Sequence, residues 1–110
     1  MSDRLENRRC RSCEAGTVPM TGEQARAWLP QVPGWAVEGG RLVRTFTFKN
    51  YHQTTAFVNA VAWIAHTEDH HPEITFGYKT CTVWYATHSI GGLSENDFIC
   101  AARINALVRE

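Results

Sequence analysis

One segment of the chain changes period between two stretches that alternate, and this decides the fold class. Phe57, Ala60, Val61, Ile64 and Ala65 fall at i, i+3, i+4, i+7 and i+8, the spacing of a helix with one apolar face. Asn50 stands where a side chain can cap the first turn, and the helix is predicted to run to about Thr67. It must end before Pro72, whose ring pushes His71 out of the helical region. Upstream, Leu42 to Lys49 alternates, with Phe46 and Phe48 on one face and Thr45 and Thr47 on the other, as in a half-buried strand. Trp35-Ala36-Val37 reads as a shorter strand, joined to it by Glu38-Gly39-Gly40-Arg41, where paired glycines supply positive φ. Downstream, Ile74, Phe76 and Tyr78 alternate, Gly77-Tyr78-Lys79 turns the chain, and Cys81 to His88 alternates again.

Strands that arrive in hairpin pairs build an antiparallel sheet. Two capping boxes supply the remaining helices. Thr21-Gly22-Glu23-Gln24 opens a short one with Ala25, Trp28 and Leu29 inward, ending near Pro30. Ser94-Glu95-Asn96-Asp97 opens another to about Arg109, with Phe98, Ala101, Ala102, Asn105 and Val108 on one side. The expected fold is α+β, a four-stranded antiparallel sheet with helices packed on one face, in the order α-β-β-α-β-β-α.

At 110 residues the chain is expected to hold one domain, over 20–110. Residues 1–19 are polar and arginine-rich, and are predicted to form a flexible arm. Eleven basic residues balance eleven acidic ones, which argues against a nucleic-acid surface. No apolar run reaches the roughly 18 residues of a membrane span, and the N-terminus lacks the apolar core of a signal peptide. Cysteines at 10, 13, 81 and 100 read as reduced thiols of a cytoplasmic protein. Cys10-Arg11-Ser12-Cys13 is half of a zinc ligand set with no partner half. It reads first as a tail carrying two thiols, with a metal or redox role as the alternative.

The chemistry concentrates in Asp69-His70-His71-Pro72, in His66 just before it, and in His88 at the end of the last strand. Imidazoles titrate near neutrality, so a cluster of them can hold an acid and a base together. His70 and His71 lie past a helix end, and His88 opens a loop, where catalytic groups tend to sit. Acid–base catalysis on a small flat molecule is one reading. A zinc site from His66, His70, His71 and His88 is a second, although a His-Glu-x-x-His pattern is absent because residue 67 is Thr. A non-catalytic partner or oligomer surface anchored by Trp63, Trp84 and Tyr85 is a third. His66 also reads simply as a helix-end residue facing solvent with Asn59, Ala62 and Trp63. Asp97 reads first as the capping-box carboxylate. No serine elbow, phosphate loop or dinucleotide fingerprint occurs.

The spacing His66-x3-His70-His71-Pro72-x5-Tyr78-x9-His88-x8-Asp97 resembles the signature of the pterin-4a-carbinolamine dehydratases, also known as dimerization cofactors of a homeodomain transcription factor. Gly34-Trp35, Phe46-Thr47-Phe48-Lys49-Asn50-Tyr51, His71-Pro72-Glu73, Thr87-His88 and Gly92-Leu93-Ser94-Glu95-Asn96-Asp97 are similar to family segments over about 21–109. The resemblance implies loss of water from 4a-hydroxytetrahydropterin to give quinonoid dihydropterin, recycling the cofactor of aromatic amino acid hydroxylases. It implies His70, His71 and His88 as catalytic residues, and a pterin lying between Asp69-His70-His71 and Ala86-Thr87-His88-Ser89. His66, Pro72 and Asp97 would support the site. No metal or organic cofactor would be needed, and a homodimer or homotetramer is implied. Position 66 is often acidic in the family and is His here. Residue 74 is Ile where animal members carry Trp. The cysteine-bearing arm looks more like bacterial relatives, which weakens the transcriptional-partner role.

Overall fold

The computed structural model describes residues 4–13 and 16–108. Its helices are α1 (Gly22–Trp28), α2 (Tyr51–Glu68) and α3 (Glu95–Val108), and its strands are β1 (Ala36–Glu38), β2 (Arg41–Thr47), β3 (Glu73–Phe76) and β4 (Thr80–Tyr85). The expected order is met. The strands form one antiparallel sheet, β1-β2-β4-β3, so the second strand of each hairpin meets the other at the centre.

Register follows the alternation. Leu42 pairs with Tyr85, Arg44 with Val83 and Phe46 with Cys81. Leu42, Phe46, Cys81, Val83 and Tyr85 are buried and join Ala25 of α1, Phe57 and Val61 of α2, and Phe98 and Ile104 of α3 in one core. The opposite face is open. There the Thr45 and Thr82 hydroxyls lie 2.8 Å apart, and Arg41 lies over Trp84 while pairing with Glu73.

Local chemistry sets the helix ends. Thr21 accepts from the Gln24 amide while the Gln24 side chain accepts from Thr21, the reciprocal cap that α1 needs. Asn50 accepts from the Gln53 amide at the start of α2. Thr54, wholly buried, donates to the Tyr78 carbonyl at 2.9 Å and ties α2 to the β3–β4 turn.

Two sequence expectations are corrected. The flexible arm does not describe residues 4–13, which lie along α2 and α3. Leu5 is buried in the core, and Glu68, buried at the end of α2, accepts from the Cys10 amide at 2.8 Å and pairs with Arg9 at 2.8 Å. An acidic residue in a last helical turn opposes the helix dipole, and the arm's cations together with Arg103 of α3 offset it. Further on, Met20 donates to the Leu93 carbonyl. The one-sided face of α3 is also too narrow. Phe98, Ala101 and Ala102 face inward as expected, but Ile99, Cys100 and Ile104 are buried as well, the short turn Leu5–Asn7 packing directly on this helix.

Leu5→Ala is expected to destabilise the protein by ~2–5 kcal/mol, the usual cost of truncating a buried leucine, measured by urea unfolding. A change within ~0.5 kcal/mol would show that the arm is not part of the cooperative unit.

Candidate active site

The C-terminus of α2 sets the first half of the site. Asp69 adopts the left-handed conformation, φ 52° and ψ 44°, alone among the described non-glycine residues. Its amide reaches back to Ala65 and His66, and the His70 amide donates to Ala65. This is the double closure of a Schellman motif, for which glycine is the ordinary residue. An aspartate accepts the conformation at a modest cost. The chain leaves α2 with His70 turned inward and His71 already extended toward Pro72.

His70 is gripped on several sides. Its Nε2 lies 2.6 Å from Asp97 Oδ1, and its side chain is only 13% exposed. Its ring stacks on Tyr85, with centroids 5.2 Å apart and planes 15° from parallel. The Tyr85 hydroxyl donates to the His70 carbonyl at 3.1 Å. Burial pushes the Tyr85 phenol upward, so it remains a donor at neutral pH. Burial would lower the His70 pKa, but the hydrogen bond and negative charge of Asp97 outweigh it, and the imidazole is raised above 6.5.

Asp97 is fully buried and shares its two oxygens between two tasks. Oδ2 accepts the Ser94 amide at 2.9 Å, closing the start of α3, and the Thr87 hydroxyl at 2.8 Å. Thr87 Oγ1 also lies 2.8 Å from Ser94 Oγ. Oδ1 holds His70. One carboxylate therefore stitches together the end of α2, the segment after β4 and the start of α3. The expectation that Asp97 is a capping residue is met, and the same side chain orients a histidine as well.

His88 follows Thr87 and begins the turn His88–Ile90. That loop is clamped at its base by the Thr87 amide donating to Gly92 at 2.8 Å. Gly91 turns it with φ 71°, and a Cβ at Gly92 would meet Pro19 at 2.7 Å. His71 and His88 are both exposed, and neither imidazole has a hydrogen-bond partner among the described residues. Each is the chain neighbour of a residue on Asp97: His71 follows His70, and His88 follows Thr87. Asp69 and Ser89 are exposed, Pro72 and Ala86 half-buried. His66 stands apart, exposed on α2 with its ring 5.2 Å from Trp63.

Tyr85 corrects one sequence reading. It is no surface anchor but fully buried, because it sits on the helix-facing side of β4 with Cys81 and Val83. Its support of His70, and the part of Ser94, were not foreseen; the alternation of β4 carried the signal for Tyr85. A concavity of about 870 Å³ lies elsewhere, between the arm and the start of α3, lined by Arg8, Arg9, Arg11, Cys13 and Asn96 among others. Among the described residues no group of three or more His, Cys, Asp or Glu side chains is arranged to hold a metal ion.

The sheet and its helices define an α+β class that matches known proteins. Residues 18–107 match the family model described as pterin 4 alpha carbinolamine dehydratase. A relative from Nitrosomonas eutropha is 55% identical over 94% of this chain and 93% of its own. One from Stenotrophomonas maltophilia (strain R551-3) is 62% identical over 74% of this chain and 72% of its own. Both carry the name "Putative pterin-4-alpha-carbinolamine dehydratase". Among solved structures, a transcriptional coactivator/pterin dehydratase from Brucella melitensis superposes with a TM-score of 0.79 at 30% identity, over 83% of this chain and 99% of that one. A pterin dehydratase-like protein identified as a RuBisCO assembly factor in the alpha-carboxysome gives 0.59 at 31% identity, over 67% and 88%. The chain belongs to the pterin-4α-carbinolamine dehydratase family.

The His70–Asp97 pair has a pH signature. Because the folded pKa is raised, the stability it contributes is fully present below the unfolded value of 6.5 and is lost as pH rises through the folded value. By imidazole NMR, His70 is expected to titrate above 6.5, and Asp97→Asn to bring its midpoint down. A midpoint at or below 6.5 in the parent protein would show that Asp97 does not hold the imidazolium.

Proposed function

We propose that this chain removes water from 4a-hydroxytetrahydropterin to give quinonoid dihydropterin. The observation that carries the reading is His70, largely buried and held 2.6 Å from a buried carboxylate, in a chain of this family. Departure of the 4a-hydroxyl needs a proton, and closing the C4a=N5 bond releases one from N5. A raised pKa keeps a substantial part of His70 as imidazolium near neutrality, which suits it to protonate the leaving hydroxyl. Asp97 occupies Nε2, leaving Nδ1 as the ring nitrogen without a partner among the described residues. One of the two exposed imidazoles, His71 or His88, takes the N5 proton, and the other orients the ring by hydrogen bonding.

In this reading the pterin lies between Asp69-His70-His71 and Ala86-Thr87-His88-Ser89, and the chemistry asks for no metal or organic cofactor. The product re-enters the redox cycle of an aromatic amino acid hydroxylase. The protein works in the cytoplasm as a homodimer or homotetramer. No described helix is long and apolar enough to cross a membrane.

A non-catalytic assembly or transcriptional-partner role is the second reading. It is favoured by a pterin dehydratase-like neighbour identified as an assembly factor and by the exposed Trp63 and Tyr78. An assembly surface, however, has no use for a histidine fixed to a buried carboxylate. His70→Ala, His71→Ala and His88→Ala are each expected to slow dehydration of 4a-hydroxytetrahydropterin by ~10²–10⁴-fold, followed by stopped-flow absorbance, with circular dichroism unchanged. Full activity in all three variants would remove the catalytic reading and leave the assembly one.

A further inference from the structure

The dehydration reading makes no use of the arm's thiols. Cys10 Sγ lies 3.5 Å from Cys100 Sγ, with neither cysteine in a disulfide. Cys10 is half-buried on the arm, and Cys100 is buried in α3. The Cys10 amide is fixed on Glu68, and its thiol also approaches the Asn96 carbonyl at 3.6 Å. The approach is therefore built by the same ion cluster that lays the arm down. The two residues are 90 apart in sequence, so the contact is a product of the fold. Cys13 lies nearby, 4.0 Å from Asn96 Nδ2. Cys81 is buried in β4 and belongs to the core.

We infer that Cys10 and Cys100 are an oxidisable pair that a peroxide converts to a disulfide, stapling residues 4–13 to α3. A disulfide needs its sulfurs about 2.05 Å apart, so closing a gap of 3.5 Å asks for a shift of about 1.5 Å. The hydrogen bond between them, followed by burial, raises Cys10, while the same hydrogen bond lowers Cys100, with burial opposing it and the Tyr85 hydroxyl and His70 assisting. One thiolate of the pair displaces hydroxide from the peroxide and becomes a sulfenic acid. The second sulfur attacks it, forming the S–S bond and releasing water. Two thiols are oxidised, and one peroxide is reduced to two waters. The link sits three residues beyond Asp97 on α3, beside Tyr85, on which His70 stacks.

The test treats the full chain, reduced and folded, with hydrogen peroxide. The expected product has lost about 2 Da, regains it with dithiothreitol, and shows a Cys10–Cys100 link by peptide mapping. Its melting temperature rises by several degrees, because the link closes a long loop of the unfolded chain. Cys13→Ser forms the same link, and Cys10→Ser does not. Two results would overturn the inference: a Cys10–Cys13 link in the parent protein, or oxygen added to separate thiols with no link. Neither depends on Cys100→Ser folding, and both are independent of whether the protein dehydrates a pterin.

Discussion

A single buried carboxylate is the constraint on which the site depends. Asp97 is fully buried, so its oxygens must be filled by the protein. Oδ2 takes the Ser94 amide and the Thr87 hydroxyl, and Oδ1 takes His70. Of these partners only Ser94 lies within one helical turn of Asp97 in sequence. Satisfying the carboxylate therefore brings three separate segments to one point. It fixes the entry to α3, the exit from β4 and the first residue past the αL turn of α2. The tautomer of His70 is fixed by the same contact, because a nitrogen that faces a carboxylate must carry a proton.

A second buried acid serves the arm as Asp97 serves the site. Glu68 draws in Arg9, Arg103 and the Cys10 amide, while Leu5 enters the core. The arm in turn covers the side of α3 that carries Ile99, Cys100 and Ile104. Helix α3 is thus held between the sheet and the arm, and its first turn presents Asp97 from a rigid support. The two clusters meet through Tyr85, which touches His70 on one side and has Cys100 on the other.

The fold was legible because its periods are clean. Phe57, Val61 and Ala65 gave α2 its face, Phe46 and Val83 gave the strands theirs, and Thr21, Asn50 and Ser94 marked helix starts. What the sequence hides is long-range pairing. Leu5 and Arg9 look like any polar arm until α2 supplies Glu68, and nothing local says that Glu68 is buried. Asp97 illustrates the same limit within the site. Its local role at a capping box is readable three residues away, while its contact with His70 spans 27 residues and exists only once the sheet has formed. Tyr85 was legible as inward-facing from the alternation of β4, but not as the platform under an imidazole.

The central claim is that His70, His71 and His88 face one ligand site organised by Asp97. The most direct measurement is imidazole NMR of the five histidines during titration with 7,8-dihydropterin, which has no 4a-hydroxyl to lose. The expected result is that signals of His70, His71 and His88 move together and saturate at one ligand concentration, while His52 and His66 stay in place. Shifts confined to the arm and the start of α3, or to the open face of the sheet, with those three imidazoles unmoved, would contradict the claim.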